Sequence, residues 1–76
     1  VHELVEYLAK GLVDKPDEVR VKRVERDGAV VLELHVAADD VGKVIGRQGR
    51  TARALRTIVR ASGARSNERA LLEIVG

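Results

Sequence analysis

Asp27-Gly28 stands between two runs of alternating apolar residues, and no other pair in the chain limits the fold as much. Glycine tolerates a positive φ, so Asp-Gly is a strong two-residue hairpin signal. Residues 18–26 read as the strand before it. Val19 and Val21 alternate with charged residues, Val24 breaks the alternation, and a bulge near Lys22-Arg23 would restore its inward direction. Residues 29–37 read as the returning strand. Val30, Leu32, Leu34 and Val36 face one way, and Val31, Glu33, His35 and Ala37 the other.

Helices and one more strand flank the hairpin. Leu4, Val5, Leu8, Ala9 and Leu12 recur at spacings of three and four, which predicts an amphipathic helix over residues 2–13. Pro16 disfavours helix in the residue before it, so Asp14-Lys15-Pro16-Asp17 ends that helix. Asp39 or Asp40 is a good N-cap for a short helix, Val41 to Ile45, which Gly46 stops. A longer helix is expected from about Arg50 to Ser62, ended by Gly63. Residues 69–75 read as a last strand, with Ala70, Leu72 and Ile74 on one face. No linker or internal repeat interrupts the 76 residues, so one domain spanning 1–76 is expected.

The side chains available to this core are unusual. The chain has no Phe, Trp, Cys or Met, and its only aromatic residue is Tyr7. Absence of Cys excludes disulfides, thiolate metal sites and cysteine nucleophiles. Absence of Phe and Trp argues against a nucleic-acid binder that stacks bases on a row of rings. The longest apolar run, Ala29-Val30-Val31-Leu32, is too short to span a bilayer, so no membrane association is expected. No signal-peptide pattern opens the chain, and the expected compartment is the cytoplasm.

A net charge of +2 conceals an asymmetry. Residues 1–40 hold six basic and ten acidic residues; residues 41–76 hold eight basic residues and only Glu68 and Glu73 as acids. From Lys43 to Arg65 seven basic residues stand without one acid. Such a local field attracts polyanions even when the whole molecule is nearly neutral.

The segment Gly42-Lys43-Val44-Ile45-Gly46-Arg47-Gln48-Gly49-Arg50-Thr51 lies at the start of that field. Gly46 and Gly49 bracket two polar residues between two helices, and a glycine lets another backbone approach closely. Gly49 opens the longer helix, where free N–H groups and the positive dipole end favour an anion. Lys43, Arg47, Gln48 and Arg50 surround that point. The spacing is neither the dinucleotide fingerprint nor a Walker loop. At about 100° per residue, Arg50, Arg53, Arg56 and Arg60 fall within an arc of about 120°, opposite Ala52, Leu55, Ile58, Val59 and Ser62. The apolar side is expected to pack on the sheet, and the arginines to form a phosphate-binding ridge leading away from the loop.

Val44-Ile45-Gly46-Arg47-Gln48-Gly49 resembles the signature loop of KH domains, preceded by its usual aliphatic pair. The element order is similar to the type II, prokaryotic form of that α+β fold, α-β-β-α-α-β. The run Gly42 to Ala52, the opening Leu-Val-Glu-Tyr-Leu-Ala-Lys, Leu12-Val13-Asp14 and Pro16-Asp17 further resemble the small stand-alone bacterial KH proteins, the KhpA (YlqC) family. The resemblance covers essentially the whole chain. It implies a three-stranded sheet, its last strand parallel to the first, with three helices on one face. It implies a single RNA strand of about four nucleotides gripped by Gly46 to Gly49. Val41, Val44 and Ile45 would line one wall of an aliphatic groove, and the second strand around Leu34 to Ala37 the other. Lys43, Arg47, Gln48, Arg50 and Arg53 would complete the contact. Many KH domains carry Ile where this chain has Ala52, a departure the stand-alone family tolerates. The resemblance also implies homodimers, pairing with a larger Jag-type KH protein (KhpB, also called EloR) linked to cell elongation, and a role as post-transcriptional regulator or RNA chaperone.

Other residues carry less. His35 reads as an exposed strand residue and His2 as a mobile terminal one. With no cysteine and no suitably spaced carboxylate, no metal site or cofactor is expected. Tyr7 reads as a core-edge residue. Ser62 and Ser66 have no base near them in sequence, and no enzymatic activity is expected. Two other functions fit parts of the pattern. Val41–Ile45, the glycine turn and Arg50–Ser62 could form a helix-turn-helix for duplex DNA, although recognition helices usually mix Asn, Gln, Ser and Thr for base reading. Alternatively, apolar residues left on the long helix, with Ala54 and Ala61, could make a two-fold interface in an adaptor whose RNA binding is secondary.

Overall fold

A computed structural model describes all of residues 1–76. The hairpin organises it. Asp27 and Gly28 both take positive φ, +51° and +78°, as a type I′ turn requires. They join β1 (Arg20–Arg26) to β2 (Ala29–His35) in an unbroken antiparallel register from Arg20 opposite His35 to Arg26 opposite Ala29. The expected bulge is therefore absent. Val24 does not turn inward; it lies on the sheet's open face, opposite Val31, while Arg23 takes the helix-side position opposite Leu32. The inward place goes to an arginine because β1 is an edge strand, so the side chain can run out from under the helices and stay about half exposed. The Arg23 stem borders a small cavity with Val30, Leu32 and Ala70, and its guanidinium bonds Glu68 at 3.2 Å.

The third strand, β3 (Arg69–Val75), adds to β2 in parallel, Ala29 opposite Arg69 through His35 opposite Val75. Strand order is β1-β2-β3. The last strand is thus parallel to the second and opposed to the first, which corrects the expectation of parallelism with the first. The reason is the connection: two helices between β2 and β3 carry the chain back along the sheet, as a parallel neighbour demands.

Three helices, α1 (His2–Leu12), α2 (Val41–Ile45) and α3 (Arg50–Arg65), cover one face. Val5 and Ala9 of α1, Val44 of α2, and Leu55 and Val59 of α3 meet Leu32, Leu34 and Val36 with Ala70 and Leu72. Leu34, Val5, Val44 and Val59 are sealed from solvent. Removing a fully buried aliphatic side chain of this kind costs about 2–5 kcal/mol. Tyr7 is not at the core edge: it is 76 % exposed on the outer side of α1, where the apolar stripe has already turned away.

On the open face one side chain replaces a helix layer. Arg26 reaches across the sheet to Glu33 of β2 at 3.0 Å and Glu73 of β3 at 3.1 Å. Its stem runs beside Ala29 and Val31, which are buried although no helix covers them.

Gly63 does not end α3. The helix continues to Arg65 and closes in a Schellman arrangement: Asn67 takes φ +56°, its N–H donates to Ala64 O, and the Glu68 N–H donates to Gly63 O at 2.7 Å. Gly63 is buried inside the helix for another reason. A Cβ there would stand 2.6 Å from Ala70 Cβ and 2.7 Å from Glu68 O, so its missing side chain sets how closely α3 approaches β3.

Candidate nucleic-acid interface

The loop between α2 and α3 is built from left-handed residues. Gly46 (φ +77°), Gln48 (φ +57°) and Gly49 (φ +73°) all take positive φ, with only Arg47 between them outside that region, and Gly49 N–H donates to Gly46 O at 3.1 Å. Gly46 is required sterically as well, since a Cβ would stand 2.3 Å from Thr51 Oγ1. A Cβ at Gly49 would meet nothing within 4 Å, so only its backbone angle selects glycine there. The turn exposes Arg47 and Gln48 at its tip, and no side chain caps α3 behind it. The positive end of the 16-residue α3 therefore opens beside two polar side chains.

The arginine ridge is as expected. Arg50, Arg53, Arg56 and Arg60 are all exposed, while Ala52, Leu55, Val59 and Gly63 are buried beneath them. None of the four has an acidic partner, nor does Arg47. Arg50 donates to Gln48 Oε1 at 3.3 Å, which joins ridge to loop.

Lys43 is placed differently. Its ammonium pairs with Asp14 and lies 3.5 Å from Asp40 Oδ1, facing the corner where α1 gives way to β1. The hydrogen bond to Asp14 holds the Lys43 pKa above its ordinary value, against the opposing effect of desolvation. Asp40 explains the corner. It occupies the N-cap position of α2 but makes no cap hydrogen bond. Instead its carboxylate, 1 % exposed, accepts from the backbone N–H of Asp14 at 3.2 Å and of Lys15 at 3.0 Å. Burial alone would raise its pKa, but the two N–H donors and Lys43 outweigh burial and hold it below 3.8. A carboxyl more acidic in the folded than in the unfolded chain contributes stability that is complete above the unfolded value. That contribution fades as pH falls through the lower folded value. Urea unfolding at pH 6 and pH 3 checks this: the native chain should lose stability on acidification, and Asp40→Asn should be weaker at pH 6 and less sensitive to acid.

The groove walls also need correction. Val44 has no exposed surface and supports the site from within the core, because α2 turns it onto the sheet. Ile45 is 39 % exposed and Val41 half-buried, so these two carry the aliphatic wall beside the loop. Leu34, within the central strand, and Val36 and Ala37, just past its end, are all buried, so they offer almost no surface for the second wall. Ala52 is buried too, in keeping with its place on the apolar side of α3. The strand beside the arginine face is β3, and a shallow cavity of about 430 Å³ is lined by Arg56, Arg60, Leu71, Leu72 and Glu73. The sequence carried a signal for this, the low charge of residues 70–72, but only the strand order gives it meaning. Nowhere does a group of three or more His, Asp or Glu converge as metal ligands would, and no helix is long and apolar enough to cross a membrane.

An α-β-β-α-α-β chain on a three-stranded mixed sheet, with a Gly-x-x-Gly turn between its second and third helices, is a type II KH domain. The family model described as the KhpA/KhpB KH domain matches residues 2–74, and the chain belongs to that family. Among its relatives, RNA-binding protein KhpA of Clostridium acetobutylicum is 49 % identical over 73 residues, covering 96 % of this chain and 97 % of that protein. The proteins of the same name from Treponema pallidum and Aquifex aeolicus are each 52 % identical over 73 residues, covering 96 % of this chain and 91 % and 92 % of theirs. Their shared name is that of a binding protein, not of an enzyme.

Proposed function

We propose that residues 1–76 act as a single KH domain that binds single-stranded RNA, the Gly46–Gly49 turn clamping the sugar–phosphate backbone of about four nucleotides. One observation carries the reading: a left-handed glycine turn, an uncapped helix start and a row of arginines without acidic partners meet at one point of the surface. Arg47, Gln48 and Arg50 take the first phosphates, and Arg53 continues the track. Ile45 and Val41 provide the aliphatic wall, Gly46 and Gly49 the close approach, and Val44 the support beneath. Lys43 serves from behind by holding α2 to Asp14 and Asp40. The name carried by the relatives supports RNA as the ligand. The biological role that follows is cytoplasmic post-transcriptional regulation or RNA chaperoning.

Competition between single-stranded RNA and duplex DNA of equal length tests the ligand class. The RNA should win, and preference for the duplex would overturn the reading in favour of a helix-turn-helix. With about four phosphates neutralised, log affinity should fall with log salt at a slope of about −3. A slope near zero would remove the phosphate clamp from consideration.

A single small domain gains useful affinity by pairing. The surface that favours a homodimer is the seam of α1 and α3, where Val1 and Leu4 are exposed beside Ile58 and Ala61 around an open cavity of about 670 Å³. Pairing with a KhpB-type KH protein would use the same kind of surface. Sedimentation of the native chain and of Leu4→Glu with Ile58→Glu checks it: the native chain should run as a dimer and the variant as a monomer.

A further inference from the structure

α2 is too short to hold itself in place. It has five residues, and only Val44 among them is buried. A helix of that length has no stability of its own in water, so its roll is set by what it touches. Val44 seats it in the core, and the backbone at Gly76 lies against Val41 with no room for a Cβ between them. Val41 and Val44, three residues apart, lie within about 60° of each other around the helix. Both contacts therefore hold the same side. Lys43 and Ile45 stand on the two flanks, about 160° apart at about 100° per residue. Ile45 is the exposed aliphatic wall beside the glycine turn, so a roll of α2 carries it away from the groove. With side chains reaching about 5 Å from the axis, a roll of about 20° moves Ile45 by about 2 Å.

Asp40 restrains the flank opposite Ile45. The backbone N–H groups of Asp14 and Lys15 follow the end of α1 and have no backbone acceptor. The Asp40 carboxylate is the acceptor of both, at 3.2 and 3.0 Å, and is itself buried. Lys43, one turn on, stands between Asp14 and Asp40. The start of α2 is thereby tied to the connection between α1 and β1. The sign of the charge is the informative point. A carboxylate lies one helical turn and a half before an anion-binding turn, where simple electrostatics would disfavour it. Its burial, its two N–H donors and Lys43 keep its charge from the ligand.

We propose that Asp40 is a positioning residue for RNA binding: locked to the α1–β1 connection, with Lys43 beside it, it fixes the roll of α2 and so sets Ile45 and the Gly46 turn in place for a single strand. Neither Asp40 nor Lys43 touches the strand. The inference rests on the reading of the Gly46–Gly49 turn as an RNA clamp. Asp40→Asn offers one acceptor to two N–H donors and turns an NH2 group toward the other donor or Lys43. Removing a negative charge beside a polyanion site should tighten RNA binding if charge alone mattered. Positioning predicts the opposite sign.

Fluorescence anisotropy with a short labelled single-stranded RNA, at a temperature where every variant is fully folded, tests the sign. Asp40→Asn should bind about tenfold more weakly, as it would if the competent roll were populated about a tenth of the time. Its slope of log affinity against log salt should stay native, because the phosphate contacts are the same. Gly63→Ala, a destabilised control at the other end of α3, should keep native affinity. Lys43→Met is the second variant, on an exposed side chain whose loss spares the fold. It should also weaken binding at a native slope, whereas a direct phosphate contact would lower the slope by about 0.7. Amide exchange without RNA should quicken at residues 41–49 of Asp40→Asn and stay unchanged at 29–35. Native or tighter RNA binding by Asp40→Asn, equal weakening in Gly63→Ala, a lowered slope in either Asp40→Asn or Lys43→Met, or native exchange at 41–49 would overturn the proposal. A native chain without RNA affinity would count against the clamp, and exchange would still decide whether Asp40 fixes α2.

Discussion

Arg47→Asp combined with Gln48→Asp is expected to remove single-stranded RNA binding while the circular dichroism spectrum and melting temperature stay native. Both side chains are exposed at the tip of the turn and neither touches the core. Gln48 already holds φ +57°, and Asp is among the non-glycine residues that best tolerate this region, so the turn keeps its shape. Each substitution removes a donor to phosphate and puts a negative charge in its place. A hydrogen bond to a charged group is worth about 1.5–3 kcal/mol, so the pair should lower affinity by about 100-fold or more. Anisotropy with a short labelled RNA measures it. Affinity within about threefold of the native value would mean the turn is not the clamp.

Gly63→Ala is expected to destabilise the fold, against the sign that helix propensity gives. In an exposed helix interior, Ala is better than Gly by about 1 kcal/mol. Here the new Cβ would meet Ala70 Cβ at 2.6 Å and the Glu68 carbonyl at 2.7 Å. The second contact is backbone, and that carbonyl belongs to the residue whose N–H closes the α3 terminus. Neither atom is the free end of a flexible side chain, so α3 must lift from β3. Overpacking of this kind costs about 1–3 kcal/mol, or roughly 5–20 °C in melting temperature for a domain of this size. Ala70→Gly in the same chain should recover part of the loss, because it removes one of the two contacts. An unchanged or raised melting temperature in Gly63→Ala would show that the helix–strand spacing is not set at this glycine.

Much of the architecture was legible because it rests on short-range rules. Asp27-Gly28 announces its turn by backbone angle. Val30, Leu32, Leu34 and Val36 announce their face by period two, and the arginines of α3 announce theirs by period 3.6. Gly46 and Gly49 mark the loop because so few residues accept its angles. The misreadings share a cause. Asp40 was expected to cap the helix it precedes, but it bonds backbone 25 and 26 residues away, and no local pattern encodes that reach. Gly63 looks like a helix end until β3 is seen lying against it. Val24 breaks an alternation and suggests a bulge; the strand stays regular because Arg23, on an edge strand, can lead its guanidinium out to Glu68.

The opening hairpin shows the same division. Composition and spacing alone dictated a turn at Asp27-Gly28, an aliphatic core without rings, and a basic second half starting at a glycine loop. These are properties of a residue and its near neighbours. Which strand lies at the edge, which cations remain free and which are neutralised depended on tertiary structure. Lys43 belongs to the same basic run as Arg47 yet faces Asp14 and Asp40, while Arg56 and Arg60 face the open edge of β3. A charge acts on whatever the fold brings within a few ångströms, and for these residues that neighbour comes from a distant part of the chain.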